Sequence, residues 1–313
     1  MMGNQRAAFG EVLIEIGHEN PDVVVINTDI ATSTCANGFA AVFPERSFNV
    51  GVAEQNAVTA AAGLSTVGLI PIVSTYAVFA TMRACEQVRT SVCYPNLNVK
   101  IVASHGGLQV GADGPTHQGI EDMSLMRSLP NMTVIHPSDD VSVKKAVRSM
   151  VAMKGPVYLR VCRNDLPTLW DEKDEFVLGK GRVWRESPDD QVTIIAVGFM
   201  LSRALQAARE LERDGIPARV VEIHTLKPLD EELILACARD TKGIVTAEDH
   251  NIIGGLGSAV AEVLAEAGLG TRLVRVGIRD VFAESGPFEE LMDKYHRLQT
   301  AQPTAALPAE PGV

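Results

Sequence analysis

The sequence predicts an α/β chain built from two parallel-sheet domains. Three observations carry that prediction. Through the first half, short β-branched runs alternate with longer helical patterns, the order expected of a parallel sheet covered on both faces. Residues 164–190 then turn acidic around NDLPTLWDEKDEF and lose periodicity. Beyond them a second alternating unit begins. The expected organisation is a first domain over 1–165, a linker over 166–190, a second domain over 191–300 and a disordered Pro/Ala-rich tail over 301–313.

Each element follows from a local pattern. VVVIN (23–27), LIPIVST (69–75), NVKIVAS (98–104), MTVIHPS (132–138) and VYLRV (157–161) read as buried strands. AEQNAVTAAAGL (53–64) reads as a helix whose small residues permit close packing on a sheet. FATMRACEQVRTSV (79–92), IEDMSLMRSL (120–129) and DDVSVKKAVRSMVA (139–152) are further helices, the last capped by Ser138 or Asp139. In the second unit VTIIAV (192–197), ARVVEI (218–223), KGIVTAE (242–248) and RLVRVGI (272–278) are strands. LSRALQAARELERDG (201–215) is an amphipathic helix ending at Gly215, and IIGGLGSAVAEVLAEAG (252–268) is a helix opened by glycines. No internal repeats are visible.

Composition narrows the function classes. The chain has 313 residues and 46% hydrophobic content, enough for a large core. No apolar run is long enough to span a membrane, and MMGNQRAAFGEV lacks the apolar core of a signal peptide. A cytoplasmic protein is therefore expected. The five cysteines are scattered, with no C-x-x-C pair, so neither a zinc site nor a disulfide framework is indicated. The net charge of −11 disfavours nucleic acid. A small anionic substrate remains compatible, because a few cations in one pocket override the global sign.

Ligands in open parallel sheets sit beyond the carboxyl ends of the strands. That places candidates in loops 28–38, 50–54, 74–82, 105–119 and 161–164. Glu54 opens a helix directly after FNVGV. It is either an acid favoured by the helix dipole or a carboxylate facing a ligand. Tyr76 and Phe79 share one side of a helix start, as core residues or as a face for a flat heterocycle. His105 ends a strand and precedes two glycines, which suggests either close ligand approach or an exposed loop histidine. His117 closes DGPTH, a loop whose Gly and Pro fix its conformation. Arg6, Ser33 and Arg163 are unremarkable singly; with His105 they can form an anion pocket. GGLGS (254–258) opens a helix but does not match a dinucleotide fingerprint, and it reads better as tight helix packing.

GVAEQNAV, GADGPTHQGIEDMSLMRSLPNM and GGLGSAVAEVLAE, in this order, resemble the thiamine diphosphate-dependent transketolase family. The resemblance covers nearly the whole chain but only the C-terminal half of a usual transketolase, its pyrimidine-binding and C-terminal domains. It implies that Glu54 binds N1′ of the aminopyrimidine and that Phe79 and Tyr76 line the ring. Met82, which falls where transketolases commonly have a tyrosine, would form the third wall of that cofactor pocket. His105 and His117 would face substrate hydroxyls or phosphate and assist proton transfer, with Asp113 on a substrate hydroxyl. Arg6, Ser33 and Arg163 would hold the sugar phosphate, and Asp29 would sit near the thiazolium side. The cofactor would supply the carbanion chemistry and the protein its positioning and electronics.

The family's diphosphate and metal motif begins with G-D-G, which this chain lacks. The resemblance thus implies the smaller subunit of a split transketolase. The partner would be an N-terminal subunit that binds the diphosphate and supplies the Mg²⁺ ligands, no metal ligand being assigned to this chain. The two would form a heterotetramer, in which this chain also self-associates, with active sites at subunit interfaces. Three alternatives stay open. A 1-deoxyxylulose-5-phosphate synthase shares GADG-x-THQG but typically has Asp-Arg where this chain has Ser104-His105. A 2-oxo acid dehydrogenase beta subunit shares the split design but needs no sugar-phosphate pocket. A non-catalytic regulatory partner has no need of Glu54, His105 and His117.

Overall fold

A computed structural model of the chain describes residues 1–297, so the tail over 301–313 lies outside the described residues. The first half runs β1 (Met2–Asn4), α1 (Gln5–Glu19), β2 (Val23–Asn27), α2 (Ala31–Thr34), α3 (Asn37–Val42), β3 (Ser47–Asn49), α4 (Glu54–Thr66) and β4 (Ile70–Tyr76). Two wide helical stretches, Phe79–Arg83 and Val88–Cys93, flank α5 (Cys85–Gln87). Then come β5 (Lys100–Ser104), α6 (Asp122–Ser128), β6 (Thr133–Ile135), α7 (Asp140–Ala152), β7 (Val157–Val161) and β8 (Asp165–Pro167). The second half runs β9 (Arg182–Arg185), β10 (Val192–Ala196), α8 (Met200–Arg213), β11 (Ala218–Glu222), β12 (Thr225–Lys227), α9 (Glu231–Asp240), β13 (Gly243–Asn251), α10 (Leu256–Glu266), β14 (Arg272–Ile278) and α11 (Phe288–Arg297).

The strands form two large sheets, in the orders β12-β6-β7-β5-β4-β2-β3 and β14-β13-β10-β11-β9. Both are parallel except at one edge: β12 runs antiparallel to β6, and β9 antiparallel to β11. β12 comes from the second half of the chain yet completes the first sheet, so the two halves share strands as well as side chains. The stretch 166–190, expected as a linker, contains β9. Its Trp184 and the earlier Trp170 both donate their indole N–H to one buried carboxylate, Glu222 Oε2, at 2.8 and 3.0 Å. That anchor orders a segment whose sequence shows no period.

Period-two alternation sorts each strand's residues to opposite faces. Val25, Ile72 and Leu159 pack under α1, α3 and α7 against Phe9, Leu13, Phe39 and Val147. Their neighbours Ile26, Val73 and Ile101 pack against Ala57, Ala61 and Val88 of α4 and the wide helical stretch. In the second sheet Ile194 and Val220 face Ala204 and Ala208 of α8. Ile195 and Val221 face Ile234 and Val260 of α9 and α10, in the same apolar cluster as the inner face of the first sheet. Burying each such aliphatic side chain contributes about 1.5–3 kcal/mol, and this shared cluster joins the two halves.

α1 has no counterpart in the expected elements, although Ala8, Phe9, Val12, Leu13 and Ile16 are buried at helical spacing. Asn4 caps it, accepting from the Ala7 N–H at 3.0 Å. α7 has the expected cap in full: Asp139 accepts from the Ser142 N–H at 2.7 Å, and Ser142 Oγ accepts from the Asp139 N–H at 2.9 Å. Because β2, β3, β4, β5 and β7 are parallel neighbours, their carboxyl ends open on one edge. There the candidate loops meet.

Candidate active site

Glu54 is the first residue of α4 and is only 2% exposed. A merely dipole-favoured surface acid would not be buried. Its partner is Arg83, whose Nη1 donates to Oε2 at 2.8 Å. The Arg83 guanidinium also lies over the Phe79 ring, 4.5 Å from its centroid.

Phe79, Tyr76, His105 and His117 form one cluster drawn from three segments. Tyr76 ends β4, and its ring stacks near Phe79 with centroids 6.2 Å apart. His105 follows β5, with its ring 4.0 Å from Tyr76. His117 meets Phe79 edge-on at 5.2 Å and Tyr76 at 6.3 Å. Met82 does not join them: it is 45% exposed. The turn Phe79–Arg83 is of the wide π type, with the Ala84 N–H donating to the Phe79 carbonyl five residues back. Arg83 lies over the Phe79 ring in this turn, and Met82 stands at the surface beside it in sequence.

His105 is buried with φ at 63°, in the left-handed region, and its Nδ1 shares a hydrogen bond with Ser104 Oγ at 2.8 Å. Burial pushes its pKa down to about 3, with the positive fields of Arg6 and Arg163 and the nearby His117 adding to the effect. The imidazole is therefore neutral at neutral pH and meets a ligand as a hydrogen-bonding group, not as a cation. His117 Nδ1 is paired with Thr116 Oγ1 at 2.9 Å.

The loop between these histidines is closed at its base. Gly106 bridges Gly119, and the Gly107 N–H donates to the Gly119 carbonyl at 2.8 Å. Arg160, fully buried in β7, donates Nη2 to the Gly119 carbonyl at 3.0 Å and both terminal nitrogens to the Asp249 carbonyl. Its Nε lies 3.1 Å from Asp122 Oδ2, which also accepts from the Tyr158 hydroxyl at 2.6 Å. Asp249, on β13, receives the Leu108 N–H on both carboxylate oxygens at 3.0 and 3.1 Å. A side chain at Gly107 would collide with that carboxylate at 2.1 Å, so glycine is required there. None of Asp122, Arg160 and Asp249 stood among the candidates. The available signal was a charged residue inside VYLRV and the run EDHN at a strand end: charges placed in buried strands demand partners.

The anion candidates lie on the same edge. Arg6 Nη1 donates to the Ser33 carbonyl at 2.8 Å. Arg163 Nη1 donates to the Val110 carbonyl and lies 3.3 Å from Asp113 Oδ2. The fields of both guanidiniums reach His105. Asp29, with φ at 67°, accepts from Asn49 Nδ2 at 2.9 Å at the exposed ends of β2 and β3. GGLGS proves to be packing: Glu248 fills the N-terminus of α10, accepting from the Leu256 and Gly257 N–H groups at 2.7 and 2.9 Å.

The donor set suits one half of a cofactor. A buried carboxylate beside stacked aromatic rings fits a flat nitrogen heterocycle. Among the described residues no group of three or more His, Cys, Asp or Glu could hold a metal ion.

Comparisons with known proteins agree on one family. The model of the transketolase pyrimidine-binding domain matches residues 3–168, and that of the transketolase C-terminal domain matches residues 179–301. The chain is 47% identical to the "Putative transketolase C-terminal section" of Methanocaldococcus jannaschii, covering 93% of this chain and 91% of that one. It is 42% identical to the 6-deoxy-6-sulfo-D-fructose transketolase subunit SqwH of Clostridium sp., over 93% of this chain and 89% of that one. Identity to 1-deoxy-D-xylulose-5-phosphate synthase 1 of Geobacter sulfurreducens is 43%, but the match spans only 44% of that relative. Among solved structures, a split gene transketolase described as an inactive beta4 tetramer superposes with a TM-score of 0.87 at 49% identity, covering 94% of this chain and 93% of that one. The transketolase of Campylobacter jejuni shares the fold at a TM-score of 0.79 and 22% identity, with 94% of this chain matching 45% of that one.

Proposed function

The chain belongs to the transketolase family, and from that premise we propose that it is the C-terminal subunit of a split transketolase. It moves a two-carbon ketol unit from a ketose phosphate to an aldose phosphate, with thiamine diphosphate held between it and an N-terminal, diphosphate-binding subunit. The observation that carries this reading is the meeting of buried Glu54 with the Phe79–Tyr76 rings and two histidines at one sheet edge. Two short relatives are matched over nearly their full length.

Each residue then has a task. Glu54 would hydrogen-bond N1′ of the aminopyrimidine, and Phe79, Tyr76 and Met82 would hold that ring. His105 and His117 face substrate hydroxyls and assist proton transfer there. Arg6, Ser33 and Arg163 hold the phosphate. Asp113 turns from Arg163 to a substrate hydroxyl, and Asp29 stands on the thiazolium side. Thiamine diphosphate, when bound, supplies the carbanion chemistry. The partner chain supplies the Mg²⁺ ligands. Phe48, Val52 and Met82 are large apolar side chains left exposed on this chain, available to an apolar contact with that partner. The assembly is a cytoplasmic heterotetramer serving pentose phosphate metabolism, with copies of this chain also touching one another.

The test is reconstitution with a chain carrying the G-D-G motif. The mixture should convert xylulose 5-phosphate plus ribose 5-phosphate, while the lone chain should not. Turnover by the lone chain would overturn the split assignment. The 43% identity to a 1-deoxy-D-xylulose-5-phosphate synthase favours a second reading. Pyruvate consumption with glyceraldehyde 3-phosphate, in place of ketol transfer, would establish it.

A further inference from the structure

Arg83 occupies both contacts that a flat heterocycle needs at this site. Its planar guanidinium lies 4.5 Å from the Phe79 centroid and donates to Glu54 Oε2 at 2.8 Å. No simple packing need explains the pose, because the Arg83 side chain is 46% exposed while Glu54 is 2% exposed. The flexible stem can swing to solvent without unfolding anything. Its backbone is held independently: the Arg83 carbonyl accepts from Gln55 Nε2 at 3.1 Å, and the wide turn of Phe79–Arg83 fixes its place against the ring.

We propose that Arg83 is a positioning residue that acts as a displaceable stand-in for the aminopyrimidine, keeping the Glu54 carboxylate aimed at the Phe79 face until the ring replaces it. The inference rests on the reading of Glu54 and Phe79 as the ring subsite. An empty subsite would leave a buried carboxylate without a partner, which is costly. A delocalised plane that stacks on an aromatic face and hydrogen-bonds a carboxylate resembles the ring in both respects. Only a ligand able to make both contacts replaces it without loss, so the exchange also selects for nitrogen heterocycles over plain aromatic rings.

The exchange predicts that Arg83 weakens ring binding by the subunit. The full-length chain would be titrated with thiamine itself, following the Arg83 Nε–H and Phe79 ring signals by NMR. In the wild type both signals should move together as thiamine saturates. Arg83→Met should bind thiamine about three- to tenfold more tightly, the loss of one half-exposed ion pair and one cation–π contact. Arg83→Lys, which keeps the charge but not the plane, should fall between. A moving Phe79 signal with a static Arg83 signal, or Arg83→Met binding no better than wild type, overturns the stand-in role and leaves the ring subsite intact. Absence of any shift at Glu54 or Phe79 in wild type and both variants, in the lone chain and again with the diphosphate-binding partner subunit present, removes the ring subsite, and this inference with it.

Discussion

Two charged groups near the loop bearing His105 and His117 differ in kind. On the ring side, buried Glu54 meets half-exposed Arg83. On the seam side, Asp122, Tyr158, Arg160 and Asp249 are all buried and tie the loop base to β7 and β13. The open pair can trade one member for a ligand. The closed seam cannot, because any group that left would strand a charge away from water. The molecule thus puts its exchangeable contact where chemistry is proposed and its permanent contacts behind it.

The largest expected effect lies on the ring side. Glu54→Gln in the reconstituted complex should slow proton exchange at C2 of thiamine diphosphate by roughly 10²–10⁴-fold, with thermal unfolding little changed. Near-normal exchange in that variant would remove Glu54 from its assigned role.

The seam should respond in the opposite currency, stability before rate. Arg160→Met removes the partner of Asp122 and the clamp on the Gly119 and Asp249 carbonyls. Removing one member of a buried pair costs about 3–5 kcal/mol, readable as a lower urea midpoint. A loss below about 1 kcal/mol, the range of exposed pairs, would mean that the seam is no firmer than the ring side.

These two sides were unequally legible in the sequence. Glu54, Tyr76, Phe79, His105 and His117 each sit at a strand end or helix start, and periodicity locates such points. Arg83 was hidden because helical spacing from Phe79 offers both Met82 and Arg83, at three and four residues on, and nothing in the local sequence reveals the ion pair with Glu54, 29 positions away. Arg160 and Asp249 were hidden because their partners lie 41 and 141 positions away, and no local pattern reports such contacts. β12, three residues long, has no period to detect, and the order of 166–190 depends on Glu222 far along the chain.

A subtler effect follows from two buried acids on β13, Asp249 of the seam and its neighbour Glu248. Burial pushes Asp249 from an ordinary 3.8 up to about 6, against the opposing pull of Arg160, and Glu248 from 4.5 up to about 7. Between the ordinary and the raised values each of these two carboxyls holds more proton in the native chain than in the unfolded one, so its contribution to stability falls as pH rises through its window, from about 4 to about 7 for the pair. The buried His105, His136, His224 and His250, whose values are lowered, contribute with the opposite sign. Asp249→Asn should therefore make the slope more positive in the lower part of the window, up to about 6, and leave the other contributions. Urea midpoints across this range supply the measurement, and an unchanged slope in Asp249→Asn would show that its carboxyl does not take up the proton.

The smallest effect is a titration that should be missing. Burial first, then Arg6, Arg163 and His117, hold the His105 imidazole down to about 3. Its ring signals should stay flat by NMR through the window from about pH 8 to about 5 where an ordinary histidine gains its proton. Inorganic phosphate then discriminates between the causes. An anion seated between Arg6 and Arg163 offsets two of the positive fields but leaves burial untouched, so the His105 value should rise only part of the way toward 6.5. A His105 that titrates normally would place the ring in water and loosen it from Tyr76. A His105 that ignores phosphate would separate it from the two arginines, and the anion pocket would lose the residue that ties it to the ring side of the loop.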